Sequence, residues 1–258
     1  MNRIDQLFQR KHGNVMSVYF TAGYPQKDTT VEIIKKLDEA GVDMIELGIP
    51  FSDPMADGPV IQESNKVSLE NGMNLSLLFE QLENIRQITN IPILLMGYLN
   101  PVFYFGIEKF CKNCSKSGID GVILPDLPVE DYRAHYKEYF RENNLYNIFL
   151  VAPTTNKQRL EQILPEAEGF VYMVSSSSTT GNKNVPNNQL NYVQAIRKIK
   201  DDIPVMAGFG INDGNMFWEV CQYVNGGIIG SAFIKKLMNY DESLDARVNS
   251  FVQSMNMS

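Results

Sequence analysis

Residues 44 to 59 read Met44-Ile45-Glu46-Leu47-Gly48-Ile49-Pro50-Phe51-Ser52-Asp53-Pro54-Met55-Ala56-Asp57-Gly58-Pro59, an apolar strand with one glutamate that opens into a proline-bound loop. Glu46 alternates with apolar neighbours in Val42-Asp43-Met44-Ile45-Glu46-Leu47, which turns its side chain towards the interior of a sheet or barrel. Burying an ionised acid is costly unless it is partnered, and desolvation raises its pKa towards values useful for proton transfer near neutrality. Glu46 is therefore an acid/base candidate. Pro50, Pro54 and Pro59 remove backbone freedom from the loop, so Asp53 and Asp57 are held in place, as a site requires. The competing reading is a buried structural acid next to a polar surface loop.

Short β-rich runs alternate with longer helical ones on both sides of this stretch. Strands are predicted at 15–20, 44–47, 91–96, 121–124, 147–151, 170–174, 204–207 and 227–229. Helical patterns fill 29–40, 76–88, 107–117, 129–143, 157–164, 190–198 and 215–224, and Gly41, Gly118, Gly169 and Gly226 stand where left-handed C-caps precede strands. No linker or composition shift divides the chain, so residues 1–258 are read as a single domain. Eight near-regular units predict one (β/α)8 TIM barrel, a fold of about 250 residues. An open doubly wound sheet is the competing fold, and the absence of GxGxxG after the first strand counts against it. An extra N-terminal helix at 2–11 would cover the bottom of the barrel, 241–253 would pack outside it, and 60–70 leaves room for a short additional helix.

A net charge of −7 argues against broad binding to nucleic acid or anionic membrane, both of which need a basic field. No apolar run reaches the roughly 20 residues of a membrane span, and residues 1–14 are polar and charged, so a cytoplasmic protein is expected. The three cysteines, Cys111, Cys114 and Cys221, fit a reducing compartment; the first two face one side of a helix rather than a metal. His12 and His135 lie among charged residues and read as surface positions.

A barrel gathers the carboxyl ends of its strands on one face, where active sites are found. Glu46 and Asp57 then share a face with Tyr98, Asn100, Asp126 and Tyr172. Three glycine-bearing segments join them: Thr179-Thr180-Gly181, Gly208-Phe209-Gly210-Ile211 and Gly230-Ser231-Ala232. The last two follow strands seven and eight, where backbone amides and the Ser231 hydroxyl can close on a phosphate without any arginine. Residues 175–184 are small and polar and read as a lid, with Thr180 placed to bond Asp57 from above.

Taken together, Phe20-Thr21-Ala22-Gly23-Tyr24-Pro25, the Glu46 to Pro59 run, Leu95-Met96-Gly97-Tyr98-Leu99-Asn100-Pro101, Leu124-Pro125-Asp126-Leu127-Pro128, Val151-Ala152-Pro153-Thr154 and the glycine segments resemble the tryptophan synthase alpha subunit family over essentially the whole chain. The ELGxPFSDPxADGP pattern is specific, whereas the glycine segments alone fit many phosphate-binding barrels. The resemblance implies a retro-aldol cleavage of indole-3-glycerol phosphate to indole and glyceraldehyde 3-phosphate, with neither metal nor cofactor in this chain. It implies that Glu46 transfers protons and that Asp57 bonds the indole N–H. It places Phe20 and Leu95 against the indole, makes Tyr172 a site residue, and gives Gly181, Gly210, Gly230 and Ser231 to the phosphate. It further implies an α2β2 heterotetramer with a pyridoxal-phosphate beta subunit, faced by Pro50, Asp53, Asn100 and Pro101. Loop six departs from the family pattern, with Ser178 where a glycine is usual and Ser176 near the place of a frequent arginine. A stand-alone indole-3-glycerol phosphate lyase and a non-catalytic activator of the beta subunit remain as alternatives. Retention of both Glu46 and Asp57 speaks against the activator, and the proline-bound Asp57 loop against other sugar-phosphate barrels.

Overall fold

Nine strands follow one another in the computed structural model, which describes residues 1–55, 57–174, 185–208 and 210–256, with backbone alone at 185–188. They are β1 (Val15–Thr21), β2 (Met44–Gly48), β3 (Ile93–Met96), β4 (Gly121–Ile123), β5 (Tyr146–Asn147), β6 (Leu150–Val151), β7 (Val171–Val174), β8 (Val205–Gly208) and β9 (Gly226–Ile229). Every pairing is parallel, in the order β5-β4-β3-β2-β1-β9-β8-β7-β6. The two ends of this order are halves of one strand. Ile148 donates to the Val122 carbonyl at 2.9 Å, and Tyr172 donates to the Phe149 carbonyl at 3.0 Å. The sheet thus curls into a (β/α)8 barrel, and the single strand expected at 147–151 is split at its centre.

Strand alternation sorts the side chains into two cores. Val15, Met44, Leu94, Ile123, Ile148, Phe170, Met206 and Ile228 fill the barrel, and Ile4, Leu7 and Phe8 of the N-terminal helix Arg3–Arg10 close its bottom. The intervening residues, among them Val18, Phe20, Ile45, Leu47, Ile93, Leu95 and Val122, pack beneath the surrounding helices. A polar lock ties the bottom together. Arg86 donates to the carbonyls of Gly118 and Ile91 and to Asp120, and Asp120 also accepts from Arg3 and from the Ile93 amide. Pairing of this kind offsets the cost of burying the Asp120 charge.

Most helices stand where periodicity places them, and the differences have local causes. The run 129–143 forms Val129–Asp131 and Lys137–Glu142 with a π-helical turn at Tyr132–Tyr136 between them. The run 76–88 divides into Leu75–Gln81 and a 3-10 turn at Ile85–Gln87, and the helix expected at 190–198 spans Val185–Ile199. A helix at Leu99–Phe105 stands where the sequence reading placed none. Pro101 falls in its first turn, where an amide has no intrahelical acceptor to lose. Gly118 has φ +70°, as a C-cap requires, whereas Gly226 is a strand residue of β9. A Cβ at Gly226 would collide with the carbonyl of Val15, so close approach of β1 explains that glycine.

Candidate active site at the carboxyl ends of the strands

Glu46 is the central inward residue of β2, level with Tyr19 on β1 and Leu94 on β3. It is fully buried. The Ser17 hydroxyl donates to its Oε1 at 3.3 Å, and Oε2 has no hydrogen-bond partner among the described residues. Burial pushes the carboxyl pKa up to about 8, with Ser17 opposing the shift. A group near neutrality in its affinity for protons is suited to donate one and take one back.

Asp57 arrives from the loop after β2. Its amide donates to the Pro54 carbonyl at 3.1 Å, and Gln62 donates to its own carbonyl at 2.9 Å. Pro59 begins the helix Pro59–Glu70, its fixed φ suited to a first turn. The Tyr98 hydroxyl donates to Oδ2 of Asp57 at 3.1 Å, and the Tyr98 ring lies 5.0 Å from that of Phe51. Burial raises the Asp57 pKa while Tyr98 holds it down. The two acids therefore have different supports: one is enclosed with a free oxygen, and the other is steadied by a phenol.

Two tyrosines stand near both acids. Tyr19 and Tyr172 are both buried, and both feel the charges of Glu46 and Asp57, which together with burial raise their pKa values. Each rests over a glycine. A Cβ at Gly48 would collide with the Tyr19 hydroxyl, and one at Gly208 would collide with that of Tyr172. Gly208, read from sequence as part of a phosphate segment, thus makes room for an aromatic ring.

A cavity of about 130 Å³ opens beside these groups, with Tyr19, Tyr172, Asp57, Met96, Ile61 and Ile228 on its walls. Gly210, Ile211, Asn212, Gly230 and Ser231 complete it. Gly210 takes φ +82°, and Ser231 is the first residue of the helix Ser231–Leu237. The structure therefore brings Asp57, Tyr172, Gly210, Gly230 and Ser231 to one cavity, with Glu46 buried beside Tyr19 and Tyr172. Thr180 and Gly181, with the whole of 175–184, lie outside the described residues.

Phe20 and Leu95 are corrections. Both are fully buried in the outer core, and the Phe20 ring packs edge-on against Phe233 at 6.2 Å. Their sequence neighbours Tyr19 and Met96 line the cavity instead. In a strand a shift of one residue exchanges the two faces, so an assignment off by one falls on the helix side. The parity of Glu46 carried the correct answer, since Tyr19 is its partner across β1. Ser17 and Asn212 were also missed; Ser17 has the parity of Tyr19, but Asn212 stands in a loop without a periodic signal.

Of the residues expected to face a partner, Asp53 and Asn100 are exposed, Pro101 is half-buried and Pro50 is buried. Close to them in sequence, Met55, Phe103 and Tyr104 are 89%, 65% and 94% exposed. No helix among the described residues is long and apolar enough to cross a membrane.

A closed parallel barrel with two unlike carboxylates, one inside β2 and one in the loop after it, has the architecture of the (β/α)8 enzymes. Residues 5–258 match the tryptophan synthase alpha chain family, and the chain belongs to that family. It is 51% identical over 238 residues to the tryptophan synthase alpha chain of Flavobacterium psychrophilum, covering 92% of this chain and 94% of the relative. The crystal structure of tryptophan synthase subunit alpha from Legionella pneumophila superposes with a TM-score of 0.89 at 33% identity, covering 99% of this chain and 97% of that one. A chain in the crystal structure of tryptophan synthase from M. tuberculosis superposes with a TM-score of 0.86 at 28% identity, covering 99% and 98%. The chain is accordingly a lyase of tryptophan biosynthesis that cleaves indole-3-glycerol phosphate to indole and glyceraldehyde 3-phosphate, and membership implies a beta subunit as partner.

Proposed function

We propose that Glu46 and Asp57 divide the chemistry of this cleavage between them. Indole is a poor carbon leaving group until its C3 is protonated. With a pKa near 8, Glu46 is mostly protonated at neutral pH and supplies that proton, generating an indolenine-like cation. The carboxylate left behind takes the proton from the glycerol hydroxyl next to the breaking bond. That electron pair forms the aldehyde carbonyl, and the carbon–carbon bond electrons return to the indole ring. Asp57 stays ionised under the Tyr98 hydroxyl, accepts the indole N–H and stabilises the positive charge as it develops. The carrying observation is the contrast between a buried Glu46 with an unpartnered oxygen and a phenol-supported Asp57.

The remaining assignments follow the walls of the cavity. Tyr19, Tyr172 and Met96 border the indole, and Gly210, Gly230 and Ser231 take the phosphate through amides and a hydroxyl. Thr180 and Gly181 join them by resemblance alone. The two carboxylates supply the acid, base and charge stabilisation the reaction needs, so the chain requires no cofactor, and pyridoxal phosphate belongs to the beta subunit. Residues 1–258 act as one domain in an α2β2 heterotetramer, with Asp53, Asn100 and Pro101 on the beta-facing surface and Pro50 shaping the loop beneath it. The free thiols at Cys111, Cys114 and Cys221 suit a cytoplasmic setting.

The test follows indole release from indole-3-glycerol phosphate by the purified chain, with beta subunit added midway. Slow release that rises on addition supports the subunit. Fast release beforehand favours the stand-alone lyase, and no release in either phase rejects the assignment.

A further inference from the structure

Ser17 is an inward residue of β1 and is fully buried. Its neighbours across the sheet are apolar, Met44 on β2 and Ile228 on β9. A hydroxyl in such a layer is costly unless it finds a partner. The side chain makes one hydrogen bond among the described residues, and it goes to Oε1 of Glu46 at 3.3 Å. The other carboxyl oxygen, Oε2, is equally buried and has no partner among them. The environment thus makes the two oxygens of one carboxyl group unequal.

We propose that Ser17 is a positioning residue for proton transfer, holding Oε1 so that Oε2 is the oxygen that carries the proton to and from the substrate. The proposal rests on Glu46 being the proton-transfer group. A donor at Oε1 fixes the carboxyl plane and leaves the open oxygen to exchange protons, which is preorganisation by a neighbour that never touches the substrate. The hydroxyl also favours the ionised form of Glu46, opposing the upward push of burial.

The titratable groups around Glu46 are Tyr19 from β1 and Tyr172 from β7, both of which also feel Asp57 from the loop after β2, while β3 presents Leu94 and Met96. No cation contributes to its titration among the described residues. Burial raises both phenols well above their ordinary range, so they stay neutral from pH 6 to about 10. The Asp57 pKa is raised as well, so the infrared titration against Glu46→Gln identifies which limb of the rate profile belongs to Glu46.

The experiment compares the full-length chain with its Ser17→Ala and Ser17→Thr variants. It records the pH dependence of kcat for indole release and, separately, the titration of the Glu46 carboxyl by infrared difference against Glu46→Gln. Loss of the hydroxyl in Ser17→Ala moves the Glu46 titration and its rate limb up by about one pH unit and lowers kcat about tenfold, with KM little changed. Ser17→Thr, which restores a hydroxyl, moves both back towards the wild type. An unshifted Glu46 titration in Ser17→Ala overturns the proposal, and so does a shift that Ser17→Thr reproduces in full. If Glu46→Gln itself turns over normally, the reading of Glu46 fails instead, and the infrared titration still reports whether Ser17 acts on the carboxyl.

Discussion

The Tyr98 hydroxyl donates to Oδ2 of Asp57 at 3.1 Å, and the residue after Tyr98 opens the surface helix Leu99–Phe105. The Leu99 amide in turn donates to both carboxylate oxygens of Asp126, at 2.9 and 3.0 Å. One side chain of the active site is therefore mechanically joined to a helix that carries the exposed Phe103 and Tyr104.

Removing that link by Tyr98→Phe leaves Asp57 without its donor. Burial already raises the Asp57 pKa and Tyr98 opposes the rise, so the variant titrates at higher pH. More of it is protonated at any given pH, and the acid limb of kcat/KM moves up. At neutral pH kcat/KM falls about tenfold, the equivalent of one hydrogen bond to a charged group. A pH–rate profile checks this, and an unmoved acid limb would separate Tyr98 from Asp57.

Gly208→Ala places a methyl group where the Tyr172 hydroxyl now rests. The ring must leave its position, and the cavity wall changes with it. We expect KM for indole-3-glycerol phosphate to rise by an order of magnitude or more and stability to drop by about 1–3 kcal/mol, as overpacking generally costs. Steady-state kinetics with a urea melt measures both.

Glu46→Gln is expected to lower turnover by at least two orders of magnitude with little change in KM, within the range of a lost general acid or base. It should also stabilise the fold, and more so as pH rises. The folded pKa of Glu46, about 8, exceeds its ordinary value of 4.5, so the native chain binds the extra proton between these values. Native stability is fully present below pH 4.5 and lost as pH climbs through 8. The glutamine has no such loss, and its advantage should grow from under about 1 kcal/mol at pH 5 to roughly 3–5 kcal/mol at pH 9. Equal melts at both pH values would mean that Glu46 is not desolvated.

Ser231→Asp introduces a negative charge into the wall that also holds Gly210 and Gly230. Like-charge repulsion should weaken glycerol phosphate binding by about 10-fold or more, with a smaller effect on an indole analogue lacking phosphate. Unchanged affinity for glycerol phosphate, read by competition, would put the phosphate elsewhere.

Much of this site was legible because strands, loops and their order are local signals. Alternation marked Glu46 as inward, three prolines marked the Asp57 loop as rigid, and eight strand–helix units marked the barrel. The same alternation contained the places of Tyr19 and Met96, but a resemblance applied one residue off turned them into Phe20 and Leu95. The helix Leu99–Phe105 is seven residues long, too short for a hydrophobic period to mark it.

The sequence by itself determined which residues could point inward and where the chain must turn, since periodicity and proline act over a few residues. Only the tertiary structure decided what those inward residues meet. Ser17 reaches Oε1 of Glu46 from a strand 29 residues earlier, Tyr98 reaches Asp57 across 41, and Gly48 and Gly208 are small because phenols from other strands occupy their space. Those contacts arise from closure of the barrel, which brings distant segments within hydrogen-bond range and excludes the water that would otherwise keep Glu46 an ordinary acid.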